Sequence, residues 1–290
     1  MNTYSWLIRR EFWENRAIWI FPAVLSGFLL LAALFSRIDL MSLPAHLPGQ
    51  AVGQAFLGIV GAIFFAVMAI YSTWYLLDCL YADRKDRSVL FWKSLPISDA
   101  ATVLSKLAVA LVIIPLVYAA VADLTTLLMA FIISVRASSF IGGALWHADT
   151  WLQLQGLWLY LIFIAAVWFL PVSAYLLVIS AWAKRAVMLW SLLPPLALML
   201  AERLFLGTHM IAHVLLGRLV LPVEAFNANP GSSAWVTTVV DHDTIRTPSS
   251  IWSFLNLGGF LSSPDTWIGA AIGVALVLCA IQLRMRRSEI

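Results

Sequence analysis

Residues 81–98 read YADRKDRSVLFWKSLPIS. Six charged side chains, Asp83, Arg84, Lys85, Asp86, Arg87 and Lys93, crowd into a stretch flanked on both sides by long apolar runs. Its centre is apolar and aromatic: Val89, Leu90, Phe91 and Trp92. Each charge placed in a bilayer core costs about 2.5–3.5 kcal/mol. The stretch therefore marks a turn between two membrane crossings, and the fold is read outward from it.

Six apolar runs surround that turn, at 17–36, 53–81, 105–135, 156–182, 187–206 and 266–283. A helix needs about 20 apolar residues to cross a bilayer. The second and third runs are longer than that, so they tilt or project beyond the membrane. Composition agrees: of 290 residues, 62% are hydrophobic and 11% charged, against about 25% charged in soluble domains. The expectation is an all-α integral membrane protein, one transmembrane domain over 1–290.

Lysine and arginine set its orientation, because they collect on the cytoplasmic side. With the N-terminus inside, the inner segments hold 13 of the 18 basic residues and the outer segments hold 4, namely Arg37, Arg136, Arg218 and Arg246; Arg203 lies within the fifth run. Both termini and residues 84–98 are thereby expected in the cytoplasm. Trp182 and Trp190 bracket Lys184–Arg185 at that interface, and Trp151, Trp158 and Trp267 fall near the other. The net charge of +3 says little by itself, and its location says more; membrane lipids, and no nucleic acid, are the expected surroundings.

The first 16 residues precede an apolar run longer than the 7–15 residues of a secretory signal. An uncleaved first helix is expected. The leader TYSWLIRREFWENRAIW (3–19) has helical spacing, with Tyr4, Ile8, Phe12 and Trp19 on one face and Arg9 and Arg16 roughly opposite. Residues 1–16 are expected to form an interfacial helix, although Glu11 and Asn15 interrupt its apolar face. The segment 207–265 is too apolar for a free loop and too broken to span. Re-entrant or interface-lying helices are expected there. Ser263, Pro264 and Asp265 have the chemistry of a helix start.

Catalytic motifs are missing. No GxxxxGK[ST] occurs, so no nucleotide site is expected on this chain, and no GxSxG elbow is present. His209 and His213 stand four apart, as metal ligands on one helical face would, and Asp241, His242 and Asp243 could complete such a site. Position 210 is Met, so the Glu of HExxH is lacking, and the alternative reading is a polar helix edge. Cys79 and Cys279 make neither a disulfide framework nor a thiolate metal site and are read as packing residues.

Asp123 lies roughly 26 Å into the third run at 1.5 Å per residue, and Glu202 and Arg203 reach a similar depth in the fifth. A carboxylate at that depth needs a partner or water. An Asp123–Arg203 pair is expected, either lining the outer mouth of a pathway or tying two helices. Pro22, Pro115, Pro171 and Pro194–Pro195 predict kinks. Gly269 and Gly273 form one GxxxG in the last run, which permits close helix contact.

Residues 84–95 can make three helical turns, stopped by Pro96, with Ser98 capping the next helix. Two readings fit this short helix. Arg84, Lys85, Arg87 and Lys93 can hold anionic headgroups while Phe91 and Trp92 dip into the interface. Alternatively the aromatic pair is an anchor for a groove on a soluble partner, with the charges orienting it.

RKDRSVLFWKSLPIS (84–98) followed by TVLSK (102–106) resembles the signature of ABC-2 type permeases, the membrane subunits of a class of ATP-driven exporters. LIRREFWENR (7–16) is similar to their N-terminal elbow helix, and FLSSPDTWIG (260–269) to the start of their last span. The resemblance covers nearly the whole chain and is most specific over 80–106. It implies a coupling helix at 84–95, docked through Arg87, Leu90, Phe91, Trp92 and Lys93 on a soluble ATP-binding-cassette subunit. It further implies ATP and Mg on that subunit rather than on this non-catalytic chain, a second permease protomer, and residence in the inner (plasma) membrane. Largely apolar, aromatic pathway walls suit a lipid, peptide or drug-like cargo. Two alternatives stand beside this reading: an ion-gradient-driven transporter or channel using Asp78, Asp123 and Glu202, and an intramembrane metalloenzyme using His209 and His213.

Overall fold

A computed structural model of the chain describes residues 3–35, 49–85, 98–136, 145–226 and 251–286. These residues are almost entirely helical; the one sheet-like contact among them is an isolated bridge between Phe226 and Leu255. Eleven α-helices follow in order: α1 Thr3–Glu14, α2 Ala17–Phe35, α3 Gly49–Lys85, α4 Asp99–Ala108, α5 Ile114–Arg136, α6 Ala148–Trp168, α7 Leu170–Trp182, α8 Val187–Phe205, α9 Met210–Gly217, α10 Leu257–Ser262 and α11 Pro264–Arg286. Six stretches are long and apolar enough to cross a membrane: α2, Gly53–Lys85, Asp99–Arg136, α6, α8 and α11. This is the make-up of a multi-pass membrane protein, in which helices satisfy their own backbone groups.

The third crossing is built from α4 and α5, joined by a π-helical turn at Val109–Ile113. Pro115 follows directly and has no N–H to return to the carbonyl four residues earlier. A widened turn is a usual answer to such a gap. This crossing is the most enclosed, with 44% of its apolar window buried against 17% for α2 and for α8. It packs on α2 and α3, and Tyr118 stacks on Tyr71 of α3 at 6.1 Å.

The run at 156–182 is expected to be one helix, but the structure breaks it. α6 ends at Trp168, and α7 begins at Leu170 with Pro171 in its first turn. The two pieces still run together along α3. Trp151 packs near Phe56, Trp158 meets Phe65 at 6.4 Å, and Ser180 at the far end accepts from Leu80. They form one crossing in two segments, and the break is where α11 comes closest. A side chain at Gly273 would run into Leu170 and the backbone of Pro171. Gly273 is therefore small because a helix junction occupies its space. Gly269 serves a different neighbour, the guanidinium of Arg218, which lies over the Trp168 ring at 3.9 Å. The two glycines of the GxxxG thus admit other segments of this same chain.

Between α8 and α11 the described residues form only short pieces: α9, a 3₁₀ turn at Val223–Ala225, another at Ile251–Phe254, and α10. Gly207, at φ 64°, ends α8 in the left-handed conformation that glycine adopts without strain. Pro264 is the first residue of α11, as its sequence predicts. Cys79 is buried as expected, whereas Cys279 is exposed.

Candidate functional site: a buried chain of alternating charge

The basic ends of the helices converge on a cluster of ionised side chains buried from solvent. It begins on α1. Leu7 and Glu11, one turn apart, are both buried, while Trp6, Arg9 and Trp13 are exposed. Glu11 and Asn15, which interrupt the apolar face in the sequence, thus lie on the side turned toward the bundle. Glu11 is 0% exposed. One carboxylate oxygen lies 3.0 Å from Lys106 Nζ and 3.0 Å from Arg10 Nη2. The other accepts from Tyr75 Oη at 2.8 Å and Asn15 Nδ2 at 3.3 Å.

From Lys106, 2% exposed on α4, the chain of charges continues to Asp83 at the end of α3, 3.4 Å away. Asp83 accepts from Arg284 of α11 at 3.2 Å, and Arg284 Nε reaches Asp99 in the first turn of α4 at 3.0 Å. The order Arg10, Glu11, Lys106, Asp83, Arg284, Asp99 alternates in sign and links four helices that are distant in sequence. Burial raises the Glu11 carboxyl, but the Lys106 ammonium, the Tyr75 hydroxyl and Arg10 outweigh it and hold the group below its ordinary range. Glu14 is pushed the other way, by loss of water around part of its carboxyl.

A second tie sits beside the first. Arg84 donates to the carbonyls of Ser180 at 2.5 Å and Ala183 at 2.8 Å, covering the orphan carbonyls that end α7. Ser180 Oγ in turn accepts from the amides of Leu80 and Tyr81, each at 3.1 Å. Ser98 caps α4 by accepting from the Ala101 amide at 3.1 Å, as the sequence predicts. Both flanks of segment 86–97 are therefore pinned: Asp83 and Arg84 on one side, Ser98 and Asp99 on the other. Arg87, Leu90, Phe91, Trp92 and Lys93, the residues expected to dock a partner, lie outside the described residues.

This arrangement suits force transfer better than bond chemistry. A buried ion pair contributes little net stability, yet removing one partner costs about 3–5 kcal/mol, because the other is left charged and dry. Such contacts resist separation and fix one register. A displacement of the 86–97 segment would therefore reach α1, α3, α4 and α11 together.

The other candidate residues fall elsewhere. Asp123 does not meet Arg203. Its Oδ1 is buried with no hydrogen-bond partner among the described residues, Arg203 is exposed, and no ion pair joins them among the described residues. The expectation failed because matched depth does not make two helices neighbours: α5 packs on α2 and α3, whereas α8 packs on α3, α7 and α9. Glu202 is already engaged. It accepts from Thr208 Oγ1 at 2.7 Å and from the amides of Met210 and Ile211 at 2.6 and 2.8 Å, capping α9. His209 stands just before α9 and His213 within it, both exposed. Asp241, His242 and Asp243 lie outside the described residues, and among the described residues no group of three or more His, Cys, Asp or Glu side chains could hold a metal ion. Asp78 is exposed.

Sequence reasoning counted Lys106 and Arg284 only as inner cations and missed their burial. The available signal was a single charge inside an apolar run, Lys106 in VLSKLAVALV and Arg284 after LVLCAIQL, with acids of opposite sign on other spans. No family model, curated protein or solved structure matches the chain.

Proposed function

We propose that this chain is the permease half of an ATP-driven exporter of the ABC-2 type. It sits in the inner (plasma) membrane with both termini in the cytoplasm, and pairs with a second permease protomer. ATP and Mg bind a separate soluble subunit, which docks on a coupling helix at 84–95 through Phe91, Trp92 and Arg87, with Leu90 and Lys93 beside them. Closure of the ATPase subunits pushes on that helix. The charge chain passes the push to α1 and to the third and sixth crossings, and the cleft between protomers opens outward.

The observation that carries this reading is the anchoring of both flanks of 86–97. A 12-residue connection that only joined two spans would not need ion pairs at each end, whereas a lever does. The resemblance of 84–98 and 102–106 to the family signature supports the same role. The ion-driven alternative is weakened, since Glu202 is occupied as a helix cap. An apolar interior favours a hydrophobic or amphipathic cargo over a small ion.

Orientation is the first test. With exposed Cys279 replaced by Ser and a cysteine introduced at Ser88, a membrane-impermeant maleimide should label inside-out vesicles and spare intact cells. Labelling of intact cells would put the lever on the wrong side and end the proposal.

A further inference from the structure

The elbow between α1 and α2 carries a second, independent feature. Arg9, Phe12, Trp13, Arg16, Trp19 and Ile20 line an open groove of about 600 Å³. α1 divides its charges between two faces. Arg10, Glu11 and Glu14 pair with one another and with Lys106. Arg9 on α1 and Arg16 in the turn between α1 and α2 line the groove instead, and no carboxylate pairs with either among the described residues. Arg9 lies 5.7 Å from the Trp6 ring centre. The elbow between the two helices brings both arginines to the one groove. Phe12 and Trp13 fill the interval.

The groove does not stop at its cations. Ile20 opens an exposed stripe that continues down α2 through Val24, Phe28 and Leu31. Those positions repeat at helical spacing over roughly 16 Å at 1.5 Å per residue, a length suited to an acyl chain. Two unpaired guanidiniums stand at the head and a continuous apolar track runs below. A free phosphate would use only the first of these features, and a soluble protein would leave the second in lipid.

We propose that this groove is a binding site for one anionic phospholipid. Arg9 and Arg16 hold its phosphate, Trp13 and Trp19 flank the glycerol region, and an acyl chain follows Ile20, Val24 and Phe28. Basic groups near a membrane surface each strengthen binding of anionic lipid by roughly fivefold. The site would seat α1 at a fixed height in the leaflet while its opposite face holds the charge chain. The inference stands apart from the exporter reading, because it uses neither the 86–97 segment nor an ATPase.

The test is a native mass-spectrometry titration of the delipidated full-length chain with phosphatidylglycerol and, separately, phosphatidylcholine. Arg9→Gln/Arg16→Gln should weaken phosphatidylglycerol about 30-fold and leave phosphatidylcholine unchanged. Lys184→Gln/Arg185→Gln removes two equally exposed cations near the same end of the bundle and should change phosphatidylglycerol less than threefold. If the first double variant does not purify, Arg16→Gln alone should show a loss of about fivefold. Excess glycerophosphate should not displace the lipid. Equal losses in both double variants, or none in the first, would overturn the site. Displacement by glycerophosphate would mean a phosphoester site rather than a lipid site. Retained lipid with loss of a bound soluble subunit would make the groove a protein contact instead.

Discussion

Replacing Lys106 by Met removes the centre of the charge chain at nearly constant volume. Lys106 holds Glu11 at 3.0 Å and Asp83 at 3.4 Å, so its loss strands two buried carboxylates at once. Neither is left bare. Glu11 keeps Arg10 at 3.0 Å and Tyr75 at 2.8 Å, and Asp83 keeps Arg284 at 3.2 Å. That places the cost at the low end of the range for breaking a buried pair, about 3 kcal/mol, or roughly 150-fold in the folding equilibrium. Glu11→Gln alone should cost about 2 kcal/mol, since Lys106 retains Asp83 and Gln can still accept from Tyr75. In the double variant the two losses overlap. The sum falls short of additive by about 1–2 kcal/mol, the usual coupling of contacting residues. The assay is unfolding in mixed micelles with rising dodecyl sulfate, followed by circular dichroism. A Lys106→Met loss below about 1 kcal/mol, or additivity within roughly 0.5 kcal/mol, would refute the reasoning.

Acid should loosen the same site. The folded pKa of Glu11 is depressed below its ordinary value of 4.5, so between the two values the unfolded chain binds more protons. Its contribution is whole above about pH 4.5 and is lost as pH falls through the folded value; thermal midpoints should drop there, and Glu11→Gln should flatten the drop. Gly273→Ala should cost about 1–3 kcal/mol, because the new methyl meets the Pro171 backbone nitrogen at 3.0 Å. Gly269→Ala would drive the new methyl into the Arg218 guanidinium, which is held over the Trp168 ring, and should cost about 1–3 kcal/mol in the same unfolding assay. Glu202→Gln removes a charged cap and should cost about 1–2 kcal/mol, with faster hydrogen exchange at Met210 and Ile211; transport driven by ATP should survive it.

The crossings were legible because apolar length is a local property. Ser98 and Pro264 were legible for the same reason, since a cap is decided within one helical turn. The charge chain was not. Glu11 pairs with Tyr75, 64 residues away, and Asp83 with Arg284, 201 residues away. Periodicity within α1 marks Glu11 as a flaw in an apolar face. Only the packed bundle turns that face inward and supplies the lysine. The break at Phe169 was hidden too: Pro171 fits a kinked helix and a helix start equally well, and the approach of Gly273 decides between them. Asp123 and Arg203 show the opposite error, a pairing inferred from depth with no knowledge of which helices pack together.

The most direct measurement asks whether the segment hung between Asp83 and Asp99 receives work from another protein. The chain is purified from its native membrane, the bound soluble partner is identified, and its ATP hydrolysis is measured with and without the chain. The account predicts a P-loop ATPase that the chain retains and accelerates. Phe91→Ala/Trp92→Ala should lose both retention and acceleration while the variant remains folded. A folded double variant that holds and stimulates the ATPase as well as the parent, or a parent that binds no such ATPase, would contradict the account.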